Sequence, residues 1–146
     1  MVGRVLVILL TFFSCVANAK FSPYIGYWSV NCGGFGGSVI VSDMGEARVN
    51  VSDNNLLISA KLSELTKNSS ELFFIDILES RNEKIYWSSI SLDKPIAKLT
   101  VNYGVLVVNW FGFFDMKKKE YVWNTQPDFI VGTKNNKNTI MKKCIF

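Results

Sequence analysis

The chain contains no histidine. That removes Ser-His-Asp and Cys-His catalytic sites and the commonest zinc ligand. Cysteine is scarce, with three residues at Cys15, Cys32 and Cys144. Proline is scarcer in effect, because its three copies (Pro23, Pro95 and Pro127) mark isolated breaks rather than a linker. After the first 19 residues no long apolar run remains, so no later segment reads as a membrane-spanning helix, which needs roughly 20 apolar residues. Neither a sequence repeat nor a low-complexity tract is present. No calcium-loop spacing occurs, and no cofactor or metal is implied.

The N-terminus has a familiar order of parts. Met1-Val2-Gly3-Arg4 supplies a basic start, Val5 to Leu10 and Phe12-Phe13 an apolar stretch, and Ala17-Asn18-Ala19 a small-residue exit. This reads as a secretory signal peptide over 1–19, with a single β-rich domain over 20–146. The alternatives are a retained anchor and a lipidated Cys15. The latter lacks the usual leucine three residues earlier, where Phe12 stands. Export predicts a periplasmic or secreted protein, with a bacterial lean. Removing the leader leaves Cys32 and Cys144, and an even count outside the cytoplasm predicts a disulfide. Two free structural thiols are the alternative.

What is abundant is alternation. Tyr24–Val30, Gly37–Ser42, Glu46–Val51 and Leu56–Leu62 read as strands, with Ala47, Val49 and Val51 on one face and Leu56, Ile58, Ala60 and Leu62 on another. Asp53-Asn54-Asn55 is a turn signal. Glu64–Ser70 reads as a polar connection. Glu71–Leu78 and Lys84–Leu92 read as strands around the turn Arg81-Asn82-Glu83. Ile96–Tyr103 and Val105–Phe114 read as a hairpin joined near Gly104. Tyr121–Trp123 and Phe129–Val131 read as short strands, with Thr139–Phe146 a final strand or turn. No convincing helix is visible. The expected fold is all-β: one antiparallel meander barrel or sandwich of about 8–10 short strands, closed by one disulfide.

Several residue groups invite a functional reading. Gly33-Gly34-Phe35-Gly36-Gly37 is no phosphate cradle, because it leads into a strand and no Lys-Ser/Thr pair follows. Its glycines permit positive φ, which makes Phe35 an apolar knob on a mobile hinge, suited to a partner's cleft, or else a lid folded back on the core. In Trp110-Phe111-Gly112-Phe113-Phe114, alternation puts Trp110 and Phe114 on one face and Phe111 and Phe113 on the other. One face must then line a cavity, be covered or bind a partner, so Trp110 and Phe113 are candidate contact anchors. Residues 115–146 carry seven lysines against three acids. Lys117, Lys118 and Lys119 form a basic tip that either meets an anionic partner or is a solvated surface. Nucleic acid is excluded as a partner by so modest an excess on an exported chain. Asp76 shares an apolar face with Leu72, Phe74 and Leu78, where a carboxylate would need a partner. Ser91-Leu92-Asp93-Lys94 has the spacing of a serine–lysine dyad but sits at a strand-to-turn break. Asn50-Val51-Ser52 and Asn68-Ser69-Ser70 are glycosylation sequons that matter only in a eukaryotic secretory route.

Gly26-Tyr27-Trp28 resembles the Gly-x-Trp tripeptide on the first strand of lipocalins and their calycin relatives. The resemblance implies an eight-stranded antiparallel barrel that carries small apolar ligands, with Trp28 closing its bottom in a structural role. The family's later Thr-Asp-Tyr motif is absent. Two functions follow. One is an exported, non-enzymatic binding protein, of inhibitor or immunity type, that presents Gly34, Phe35, Gly36 and the Lys117–Lys119 tip to an unidentified protein partner. The other is a lipocalin-like carrier with Trp87, Trp110 and neighbouring phenylalanines around a small apolar ligand. An envelope or adhesion subunit and a carboxylate hydrolase are the remaining readings.

Overall fold

A computed structural model of the chain describes residues 20–81, 84–133 and 137–145. The expected leader, Cys15, Asn82 and Glu83 of one turn, and part of the polar loop before the last strand lie outside the described residues. Among those described, ten strands form: β1 (Gly26–Ser29), β2 (Ser38–Val41), β3 (Glu46–Ser52), β4 (Leu56–Thr66), β5 (Ser69–Ser80), β6 (Pro95–Asn102), β7 (Val105–Trp110), β8 (Phe113–Asp115), β9 (Glu120–Val122) and β10 (Asn138–Cys144). Eight of them close an antiparallel barrel in the order β1-β10-β7-β6-β5-β4-β3-β2, and β8 and β9 make a separate hairpin. One helical turn, α1 (Asp128–Val131), lies between that hairpin and β10. No described helix is long and apolar enough to cross a membrane.

The period-2 pattern sets the barrel wall. Ala47, Val49 and Val51 on β3 point inward beside Leu56, Ile58, Ala60 and Leu62 on β4, as the alternation predicts. Asn54 adopts φ 58° in the β3–β4 turn, the left-handed geometry expected of an Asn-rich turn. Tyr103 and Gly104 have φ 47° and 77° between β6 and β7, the positive pair of a tight hairpin whose twist matches its strands.

The wall departs from simple alternation where bulges intervene. Ala60 pairs with Phe74 and Ser59 with Asp76, which leaves Ile75 as an extra residue; Leu78 is extra in the same way. Each bulge shifts the pleat by one position. Asp76 is therefore exposed rather than among Leu72 and Phe74, and it is Ile77 that packs against the core. The polar stretch 63–66 extends β4 beyond the core, and β5 begins at Ser69, so the expected connection shrinks to a two-residue turn.

Two expected strands are absent. Lys84–Leu92 instead carries a 3-10 turn at Trp87–Ser89, Ile85 and Ile90 are buried, and pairing is limited to one antiparallel bridge between Ile90 and Asp115. Phe129–Val131 is helical, because Pro127 sets the first turn and Gly132 ends it.

The aromatic run is also broken. The Ile96 carbonyl accepts N–H groups from both Phe111 and Gly112, at 2.8 and 3.3 Å, and Gly112 has φ 103°. This bulge reverses the faces that alternation assigns. Trp110 and Phe113 both turn inward, with ring centroids 5.5 Å apart, while Phe111 and Phe114 both meet Tyr121. Inside, Phe129, Trp110, Phe113, Trp87 and Phe74 touch in succession at 5.1–5.6 Å. Each such ring pair adds about 1 kcal/mol to the burial itself. Elsewhere in the core Trp28 donates from Nε1 to the Tyr24 carbonyl at 2.7 Å, and the Lys143 ammonium lies 5.5 Å over its ring.

Gly112 lies against the end of β9, the hairpin partner of β8. A Cβ there would strike the Val122 carbonyl oxygen and approach Asn124 backbone atoms at 3.3 Å. Gly112→Ala should destabilise the fold by more than about 2 kcal/mol in urea unfolding, through both φ and collision. A loss below about 0.5 kcal/mol would show that the bulge does not set the faces of this run.

Candidate protein-binding loop

β1 and β2 are joined by residues 30–37, and this loop carries the expected knob. Phe35 is 76% exposed, which rules out the alternative of a lid on the core. The loop is also not the free hinge its glycines suggest. Cys32 is bonded to Cys144 at the end of β10, across 112 residues of sequence, with the two Cα atoms 5.5 Å apart. The Gly34 N–H donates to the Asn31 carbonyl at 3.0 Å. The Gly36 N–H donates to Asp53 Oδ2 at 2.7 Å. At the loop's base the Ser29 hydroxyl reaches the Gly37 carbonyl at 3.0 Å and accepts the Asn31 N–H at 3.2 Å.

Asp53 is itself held. Its Oδ1 accepts from the Asn50 amide, and its backbone N–H donates to Asp128 Oδ2 at 2.6 Å. The Ser52 hydroxyl donates to Asp128 Oδ1 at 3.2 Å. Three segments distant in sequence are thereby locked into one end of the barrel. Glycine is required at 37, with φ 87°: a Cβ there would lie 2.7 Å from the Phe129 ring and 3.0 Å from the Asn50 carbonyl oxygen. Asp53 and Asp128 are the loop-fixing positions that sequence reading misses. Asp53 was visible only as part of a turn, and nothing local signals its bond to Gly36.

The Lys117, Lys118 and Lys119 side chains are exposed on the β8–β9 turn. Asp115 shapes this tip: its Oδ1 accepts the N–H groups of Lys117 and Lys118 at 2.9 and 3.1 Å, and its carbonyl accepts that of Lys119 at 2.7 Å. The hairpin is anchored by the Met116 N–H on the Ser89 carbonyl at 2.9 Å. These anchors differ from those of the Phe35 loop, and none of the bonds described joins the two. Trp110 and Phe113, expected as contact anchors, are 2% and 0% exposed. Trp110 faces the core by the β7 alternation, and the Gly112 bulge brings Phe113 to the same face, so neither stands in solvent as a contact anchor.

The apparent Ser91–Lys94 dyad has other uses. Ser91 Oγ accepts the N–H groups of Asp93 and Lys94 at 3.1 and 3.2 Å, and the Lys94 ammonium lies 5.7 Å over the Phe114 ring. Both groups serve the turn before Pro95.

The Lys118 N–H bond, with that of Lys117, the Ser89 hydroxyl and the Lys118 charge, outweighs desolvation and holds the Asp115 carboxyl below its usual pKa. A carboxyl depressed on folding stabilises the protein above its unfolded pKa, and that contribution is lost as pH falls through the lower folded value. Asp115→Asn should therefore melt at a lower temperature than wild type at pH 7, with the gap closing in the acid range below about pH 4. A gap that stays constant between pH 7 and pH 2 would contradict this role.

The closed eight-stranded barrel is compatible with the lipocalin-like architecture that Gly26-Tyr27-Trp28 resembles, and Trp28 is buried in the core. Compared with models of protein families, with curated protein sequences and with solved structures, the chain matches none, so the resemblance stands at the level of architecture.

Proposed function

We propose that the protein is an exported, non-enzymatic binding module that engages a protein partner through the Phe35 loop, in the manner of an inhibitor or immunity protein. One observation carries this reading. A large apolar side chain stands in solvent on a backbone tied by a disulfide and by the Asp53 carboxylate. Single exposed apolar residues are ordinary on flexible surfaces. One held in place has already lost the freedom that binding would otherwise remove, so more of its contact energy becomes affinity. The disulfide supports export, since such bonds persist outside reducing compartments.

The carrier reading would require open space around Trp87, Trp110 and the phenylalanines. Those rings are packed on one another instead, which favours recognition at the loop. The missing histidine and the turn-forming use of Ser91 support a non-enzymatic role.

The test uses the oxidised mature chain with a photo-crosslinking residue at position 35. A second version carries it at position 103, where Tyr103 is 98% exposed on the β6–β7 turn. In the envelope or secreted fraction of the native cell, position 35 should give a discrete protein adduct and position 103 none. Against the purified partner, Phe35→Asp should weaken binding at least about 30-fold, as expected of a contact anchor, with an unchanged melting temperature. Wild-type affinity in Phe35→Asp would refute the loop as the contact.

A further inference from the structure

A concave surface lies on the barrel wall, lined by Asn109, Trp110, Phe111, Tyr121, Asn124 and Lys137, with a volume of about 550 Å³. That volume is within the usual range for small-ligand sites. Asn109 stands near the end of β7, across from Lys98 on β6 and Asn138 on β10. Phe111 and Tyr121 form an aromatic wall, with centroids 6.1 Å apart and planes at 61°. The Tyr121 hydroxyl donates to the Pro95 carbonyl at 2.9 Å, which fixes the ring. Asn124 follows Trp123, whose φ is 59° and whose carbonyl accepts from Trp110 Nε1 at 2.9 Å. The wall is therefore built on fixed backbone.

The polar groups narrow the ligand. Among the described residues, no side-chain hydrogen bond or ion pair engages the amides of Asn109 and Asn124 or the ammonium of Lys137. Each amide offers both a donor and an acceptor, which suits adjacent hydroxyls. The aromatic wall suits the C–H face of a six-membered sugar ring, an apolar patch bounded by hydroxyls. Lys137 suits one carboxylate. A purely apolar ligand would desolvate these heads without pairing them. A polyphosphate would bring several charges to one lysine. Glu71 stands opposite Lys98 in the β5–β6 ladder, and its charge adds to burial in raising the Tyr121 pKa, so a ligand carboxylate is favoured only at the Lys137 end of the surface.

We propose that this surface binds a pyranoside bearing a single carboxylate, as in an acidic sugar unit of an extracellular or envelope glycan. The site goes beyond the Phe35 loop and does not depend on it.

The oxidised mature protein, labelled with 15N, would be titrated with methyl β-D-glucuronide and with methyl β-D-glucoside, which differ only at the carboxylate. The glucuronide should bind with Kd of about 1 mM, roughly tenfold tighter than the glucoside. Amide shifts should centre on Asn109, Phe111, Tyr121, Asn124 and Lys137. Lys137→Gln should abolish the preference while leaving glucoside binding intact, and Asn109→Ala should weaken both. Phe35→Asp should bind both sugars as wild type does, which separates this site from the loop. Equal affinity for the two sugars in the wild type, or shifts centred elsewhere, would overturn the proposal. So would the absence of any shift with the glucuronide, methyl α-D-galacturonide or the methyl glycoside of N-acetylneuraminic acid at about 20 mM, well above the Kd expected for a specific site.

Discussion

The first strand meets the last, and the architecture depends on that seam. Tyr27 pairs with Cys144, Trp28 with Lys143 and Ser29 with Lys142, so β10 joins β1 on one side and β7 on the other. Without it the sheet would keep two open edges in a chain rich in β-prone residues, and open edges invite pairing with other chains. The Cys32–Cys144 bond sits at the same seam. It shortens the unfolded chain's reach across more than 100 residues, an effect worth about 4–5 kcal/mol on the chain-entropy account. The same bond holds the loop that carries Phe35. Stability and the proposed recognition thus share one covalent constraint.

Aromatic residues divide between two tasks. Trp28, Trp110, Phe113 and Phe129 are buried and fill the barrel. Phe35 is left in solvent on a tied loop, and Phe111 and Tyr121 line a shallow wall beside unpaired amides. Gly112 performs the sorting within the densest run, since its positive φ returns Phe113 to the inner face that Trp110 already occupies. A filled interior gives the surface a rigid base, and rigid bases lower the ordering cost of binding.

Much of this was legible in the residues. Alternation in 46–62 marked β3 and β4, Gly104 marked the β6–β7 hairpin, and the two cysteines left after the expected leader marked the disulfide. The prominence of Phe35 was legible from its four flanking glycines. What stayed hidden was each feature decided by contacts between distant segments. The bulges at Ile75, Leu78 and Gly112 reverse faces that local alternation assigns, so Asp76 was read on the wrong side and Phe113 on the face opposite Trp110. Lys84–Leu92 has the composition of a strand, but Ile85 and Ile90 are buried without a ladder while Tyr86 and Leu92 stand in solvent. Asp53 and Asp128 look like ordinary turn acids, yet together they fix the loop. Asn109, Asn124 and Lys137 come from three separate segments, and the end of the β8–β9 hairpin brings Asn124 beside Gly112 on the same surface.

The central claim is that the Phe35 loop is ordered before any partner arrives, and backbone 15N relaxation tests it most directly. In the oxidised protein the amides of Gly34, Phe35 and Gly36 should give order parameters of about 0.8, close to those of the barrel strands. Reduction of the disulfide should lower them below about 0.6 at Gly34 and Phe35. Values below about 0.6 in the oxidised protein would mean a flexible loop and would contradict the account.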